Sequence, residues 1–76
     1  MSFKSMKKTM YTRIGTAYYR ASEYYLYLLR ELYKEMEENS EVLRSTVWLD
    51  HFAFVAKHGL SAYNKSIKYC AKAKEL

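Results

Sequence analysis

Three side chains that could carry proton or phosphate chemistry follow one another at seven-residue intervals. They are Arg44, His51 and His58. Seven residues are close to two helical turns, so on a single helix these side chains would lie nearly in line. Histidine titrates near neutral pH and can transfer a proton, and arginine binds phosphate through a fixed fork of donors. Arg44 and His51 are therefore the arrangement in the sequence that suggests catalysis.

Six residues separate Arg44 from His51, and this spacing resembles the arginine–histidine spacing of the small helical ribonucleases of the HEPN class. The resemblance implies a site in which His51 transfers a proton while Arg44 holds phosphate. It covers eight of the 76 residues, and that class has a longer domain with more helices. The alternative is a solvated polar stripe. We expect this alternative, and we expect no enzymatic activity.

Other kinds of site lack the residues they need. His51 and His58 are too far apart, without a third ligand nearby, to predict a metal site. The sequence contains no glycine-rich phosphate loop, nucleophile motif or pair of catalytic carboxylates. Cys70 is the only cysteine, which excludes a disulfide within the chain and fits a reducing compartment. We expect no cofactor and no bound metal.

The composition predicts an all-α fold in a single small domain, residues 1–76. The chain has no proline and two glycines, and strong helix formers are common in it. A first helix is predicted over about 9–38, because apolar residues recur there at steps of three and four. The positions of this seam are Tyr11, Ile14, Tyr18, Ala21, Tyr25, Leu28 and Leu32.

Two shorter helices are predicted after it, over about 41–57 and 61–74. Asn39 can close the first helix in a left-handed conformation, and Ser40 can cap the second. Gly59 is placed to end the second helix in a left-handed conformation, and Ser61 to cap the third. The apolar face of the third helix carries Leu60, Tyr63, Ile67 and Cys70 or Ala71. The expected architecture is a three-helix bundle, or a long first helix braced by a helical hairpin.

The first helix has more apolar surface than one neighbouring helix can cover. Residues 24–33 are hydrophobic on nearly all sides, and Tyr19, Leu26 and Tyr33 form a second stripe beside the seam. The second and third helices could bury both stripes, which is the common fate of such aromatic stripes. The alternative is an interface with a partner, where tyrosine and tryptophan are enriched. The candidate interface residues are Tyr19, Tyr24, Leu26, Tyr27, Tyr33, Trp48 and Phe52.

The net charge of +5 is concentrated at the two ends of the sequence. Residues 1–13 carry +4, residues 14–56 carry −3, and residues 57–76 carry +4. In an up-down-up bundle the N-terminal lysines would lie near Lys57 and His58 and could form a phosphate-binding pole. Ordinary surface charge is the alternative. The candidate contacts to phosphate or nucleic acid are Lys4, Lys7, Lys8, Arg13, Lys57, Lys65, Lys68 and Lys72.

These patterns favour a non-enzymatic interaction protein, a homodimer that docks its aromatic helix face on a partner protein. Small accessory or regulatory proteins of phages, viruses and plasmids are often of this kind. The alternative is a nucleic-acid-binding protein that uses its basic ends with weak sequence preference. The most apolar stretch, 24–33, is too short to span a membrane. We expect a cytoplasmic protein, in the host cell if the chain is viral, with no small-molecule substrate.

Overall fold

The computed structural model describes residues 2–76, and nearly all of them lie in two long antiparallel helices. Helix α1 spans Phe3–Glu38, a 3-10 turn spans Ser40–Arg44, and helix α2 spans Thr46–Glu75. The hairpin is a rod that measures 57 × 17 × 14 Å. The prediction of an all-α fold is confirmed.

Helix α1 begins earlier in the chain than its apolar pattern predicts. The Oγ of Ser2 accepts a hydrogen bond from the backbone N–H of Ser5 at 3.1 Å, which caps the helix ahead of Phe3. Thr9, which was expected near the start, lies well inside the helix, and its hydroxyl donates to the carbonyl of Ser5. The helix therefore starts at a polar cap rather than at the first residue of the seam.

The connection between the helices is built from two polar caps. The Oδ1 of Asn39 accepts from the N–H of Glu41 at 3.1 Å and starts the 3-10 turn. The Oγ of Ser45 accepts from the N–H of Trp48 at 3.2 Å and starts α2. A helix from residue 41, capped by Ser40, was therefore wrong. Asn39 is also extended, with φ of −146°, and not left-handed as expected.

The predicted break at Gly59 is also wrong, because α2 runs through this residue without interruption. The backbone of Gly59 has no positive φ. A Cβ built on it would lie 2.9 Å from the Cβ of Tyr25 on α1. Gly15 is similar, since its Cβ would lie 2.7 Å from the Sγ of Cys70. Both glycines allow the two helices to approach closely, and neither ends a helix.

The seam predicted on α1 faces α2, since each of its seven positions is buried or half-buried. Helix α2 has a matching seam that also repeats at steps of three and four. Most of its positions in the second half of α2 carry small residues, which keep the helix backbones close. The positions are Trp48, Phe52, Val55, Gly59, Ala62, Ser66, Tyr69 and Ala73.

The hydrophobic core between the two helices is small. Among residues 2–76 the buried apolar side chains are Leu32, Val55, Ala62 and Ala73, and Val55 is the one large side chain that is fully buried. Ser66 is buried too, and its hydroxyl donates to the carbonyl of Tyr63 at 2.6 Å. Most of the large apolar side chains must therefore lie on the surface of the rod.

Candidate interaction surfaces

One side of the hairpin is a continuous apolar groove between α1 and α2. Each helix contributes side chains that recur at seven-residue intervals, next to its seam. In an antiparallel pair these two rows meet on the same side of the rod. We call this surface the apolar face, and its residues are Tyr19, Leu26, Leu29, Ala56, Leu60, Tyr63 and Ile67.

The apolar face is open to solvent along its length. Its five largest exposed side chains, Tyr19, Leu26, Leu60, Tyr63 and Ile67, keep between 47% and 62% of their surface accessible. Glu23 is the one charged residue that lines the groove. Soluble monomers rarely expose a contiguous apolar patch of this kind, and such patches mark interaction sites.

The predicted interface residues lie in different parts of the structure. Tyr19 and Leu26 lie on the apolar face, and Tyr33 continues their row toward the turn, half-exposed. Tyr24 and Tyr27 are more exposed still, but neither lines the groove. On the α2 side of the face, Leu60, Tyr63 and Ile67 were instead predicted on one face of a separate third helix. The seven-residue repeat of apolar positions continues through Gly59, and this repeat could have predicted that these residues belong to one continuous helix.

The other two predicted interface residues close the turn end of the hairpin. The rings of Trp48 and Phe52 stack with centroids 5.5 Å apart, and the ring of Tyr33 meets Phe52 edge-on at 5.5 Å. The Nε1 of Trp48 donates to a carboxylate oxygen of Glu35 at 3.3 Å. Trp48 and Phe52 are half-buried by these contacts, so much of their surface is used within the chain.

The opposite side of the hairpin is basic and aromatic. The ring of Tyr69 stacks on Tyr11 at 6.1 Å and on Tyr18 at 5.8 Å. The Nζ atoms of three lysines of α2 lie over these rings, at 5.4 to 5.8 Å from the ring centroids. We call this surface the basic face, and its residues are Lys65, Lys68 and Lys72 above Tyr11, Tyr18 and Tyr69.

The basic face and the apolar face lie to either side of the helix–helix contact, and they approach each other on the outer side of α2. Successive residues of a helix are about 100° apart around its axis. Lys65 and Ile67 flank the buried Ser66, so they point about 100° to either side of the helix–helix contact. Lys65 and Lys72 are therefore separated from Ile67, but Leu60 lines a surface cavity together with Lys65 and Lys68 on the outer side of α2.

The antiparallel hairpin also brings both basic segments of the sequence to one end of the rod. The terminal half, residues 2–23 with 61–76, has nine cationic and two acidic side chains and carries +7. The turn half, residues 24–60, has four cationic and six acidic side chains and carries −2. All the predicted phosphate contacts except Lys57 lie in the terminal half.

The expectation that the N-terminal lysines lie near Lys57 and His58 is wrong. His58 packs beside Tyr25, with ring centroids 6.3 Å apart, near the middle of the rod. The N-terminal lysines lie instead at the end of the rod where α2 finishes, because Gly15 packs on Cys70 and the exposed residues 2–10 precede it on α1. The difference follows from the continuous helix α2, which leaves no second turn near residue 59.

Arg44 and His51 do not share a helix. Arg44 lies in the 3-10 turn, where its guanidinium is 3.9 Å from the carboxylate of Glu41 and 85% of its side chain is exposed. His51 lies in the second turn of α2. The spacing that resembles the HEPN class is thus divided by the start of α2. Within residues 2–76 no three His, Cys, Asp or Glu residues are grouped so as to hold a metal ion.

Comparisons with known proteins do not assign this hairpin to a family. No family model, no curated protein and no solved structure matches the chain. Within the described residues, neither long helix has an apolar stretch that could cross a membrane. Proposals about function therefore rest on the two faces and on the distribution of charge.

Proposed function

We propose that this chain is a non-enzymatic interaction protein that forms a homodimer through its apolar face. The observation that carries the proposal is the accessible surface of one chain, 6057 Å². A compact monomer of 9.1 kDa exposes about 4,900 Å². The hairpin thus exposes about 1,200 Å² more than a compact monomer of its mass.

The small core of the hairpin also favours association with another chain. Among residues 2–76, the four buried apolar side chains, two of them alanine, contribute little hydrophobic free energy to set against the cost of ordering the chain. Fifteen large apolar side chains in the same range remain exposed. Burying part of this surface against another chain would supply the missing hydrophobic stabilisation.

A second copy of the chain suits the apolar face in both area and symmetry. A standard protein interface buries about 800 Å² on each partner, which is less than the excess surface of the hairpin. Two hairpins packed face to face would form a four-helix bundle, and self-complementary twofold dimers are the most common oligomers. Tyr19 and Tyr63 tolerate water before the interface forms and pack well after it forms.

The distribution of charge favours an antiparallel arrangement of the two copies. In a parallel dimer the two terminal halves, each carrying +7, would lie side by side. In an antiparallel dimer each terminal half would lie beside the partner copy's turn half, which carries −2. The antiparallel dimer therefore avoids like-charge repulsion and gains attraction between the halves.

Sedimentation of two matched variants tests the proposal. Leu60 lies on the apolar face and Val47 lies outside it, and both are strongly exposed in one chain. We expect the natural chain to sediment at twice its mass of 9.1 kDa, Leu60→Glu as a monomer, and Val47→Glu as a dimer. A natural chain that stays monomeric at high concentration would reject the homodimer, and so would a Leu60→Glu variant that dimerises normally.

A further inference from the structure

We propose that the basic face binds the phosphate backbone of a nucleic acid, without reading its sequence. The proposal is separate from dimerisation, because none of the three lysines of the basic face lines the apolar groove. It concerns Lys65, Lys68 and Lys72 of α2, with the N-terminal cations of α1 extending the same end of the rod.

The three lysines are held in place by the tyrosine rings beneath them. Lys72 lies over both Tyr11 and Tyr69, at 5.6 and 5.4 Å from their centroids, and Lys65 lies over Tyr18 at 5.4 Å. A cation over an aromatic ring is attracted to the ring and keeps its charge. The rings thus limit the motion of the lysine side chains, which reduces the entropy lost when they bind a ligand.

The charge of this end is not neutralised within the chain. The terminal half contains nine cationic side chains and two acidic ones, Glu23 and Glu75. The ion pairs found among residues 2–76 are Lys34 with Glu31 and Arg44 with Glu41, and both lie in the turn half. The cations of the terminal half are therefore available to a polyanion, which gains by releasing its own counterions.

The side-chain types on this face fit phosphate better than bases. Lysine is a point charge that binds phosphate readily, whereas arginine, asparagine and glutamine give the paired hydrogen bonds that distinguish bases. Lys65, Lys68 and Lys72 lie on one side of a single straight helix, so they can follow one strand of a backbone. Affinity would then come from charge and would depend steeply on salt.

An anionic membrane fits this arrangement less well. Membrane-surface helices place apolar side chains in the lipid and basic side chains beside the headgroups on the same side. In this hairpin Tyr63 and Ile67 lie on the other side of the helix–helix contact from the lysines, while Leu60 lines a cavity with Lys65 and Lys68. A membrane could therefore contact few of the apolar side chains together with the lysines. The net negative turn half would also be repelled by anionic lipid.

The test uses fluorescence anisotropy of labelled mixed-sequence DNA, both single-stranded and duplex, with the intact chain. If three phosphates are contacted on duplex DNA, affinity should fall about 40-fold between about 50 and about 200 mM salt. Two unrelated sequences should bind within about twofold of each other, because lysine contacts to phosphate carry little sequence information. An affinity that stays flat with salt would overturn the proposal.

Two triple variants with the same change in charge locate the site. Lys65→Gln, Lys68→Gln and Lys72→Gln together should abolish most binding, since each lost phosphate contact reduces the salt slope by about one. The control variant combines Arg30→Gln, Lys34→Gln and Arg44→Gln in the turn half and should bind nearly as the natural chain does. Equal loss in the two variants would show that net charge alone acts and would overturn the proposal.

Two further measurements separate binding by the basic face from loss of folding and from binding to membranes. Replacing Lys65, Lys68 and Lys72 by arginine keeps the charge and should keep the binding, and helical circular dichroism should match in all variants. Vesicles rich in phosphatidylserine serve as the competing polyanion. Tighter binding to these vesicles than to DNA at equal salt would assign the basic face to membranes and reject nucleic acid as its ligand.

Discussion

Gly59 of α2 packs directly against the side chain of Tyr25 on α1. A Cβ at residue 59 would lie 2.9 Å from the Cβ of Tyr25, closer than two such atoms approach in folded proteins. The Cβ of Tyr25 is fixed to the backbone of α1, so it cannot move aside by rotation of the side chain. The contact therefore sets how close the two helices lie at the middle of the rod.

Gly59→Ala should destabilise the fold, although alanine is the better helix former by about 1 kcal/mol. Overpacking a close contact costs about 1 to 3 kcal/mol, and here the helices themselves must separate. We expect a net loss of about 1 kcal/mol in the free energy of urea unfolding. Ser61→Ala, at an exposed position of the same helix, is the control and should not destabilise it. A Gly59→Ala variant more stable than the natural chain would contradict the close packing.

The core prediction uses two valines of α2 that differ in burial. Val55 is 1% exposed and Val47 is 78% exposed. Val55→Ala should lower the free energy of unfolding by about 2 kcal/mol, because it removes buried methyl groups and leaves a cavity. Val47→Ala makes the same chemical change at the surface and should have almost no effect. Similar losses in the two variants would show that α2 does not turn Val55 toward α1.

The cap of α2 gives a third prediction. The hydroxyl of Ser45 accepts the N–H of Trp48, which otherwise has no partner within the helix. Ser45→Ala should cost about 1 kcal/mol, and Ser45→Gly should cost only a few tenths, since glycine is tolerated at this position. Thermal unfolding followed by circular dichroism measures both. If α2 began at residue 41 instead, Ser45→Ala would be harmless.

Cysteine crosslinking tests the antiparallel orientation of the dimer separately from its existence. Cys70 lines the groove in the terminal half, and Leu49 lies three heptads before it on α2. With an axis at the middle of the apolar face, an antiparallel dimer would place the two Cys70 residues about 30 Å apart. A short bismaleimide should then join few natural chains but should join Leu49→Cys chains through Cys70 of the second copy. Efficient crosslinking of the natural chain through Cys70 would indicate a parallel dimer and reject the antiparallel arrangement.

The seam of α1 could be read from the sequence, because its three- and four-residue steps are a local property of one helix. The same spacing placed Tyr19, Leu26 and Tyr33 on a second stripe, but it left open whether that stripe is buried or exposed. The continuity of α2 could not be read in this way. A glycine that ends a helix and one that lies in a close helix contact look alike in sequence, and only Tyr25, far away along the chain, distinguishes them here.

The two faces were only partly predictable for the same reason. The N-terminal and C-terminal lysines were both recognised as candidates, but the number of turns in the chain decides which of them become neighbours. With one turn instead of two, Lys72 lies over Tyr11, and Lys57 is separated from the N-terminal lysines. Leu60 and Ile67 line the groove and do not belong to a separate third helix, because α2 continues through Gly59.

Trp48 is the one tryptophan of the chain, and it stacks on Phe52 at the turn end of the rod. Excitation of tryptophan at long wavelengths avoids the nine tyrosines, so its emission reports on this end alone. Circular dichroism, in contrast, reports on both helices along their whole length. Comparing the two signals during unfolding can therefore show whether the hairpin frays from its turn or separates all at once, with no added label.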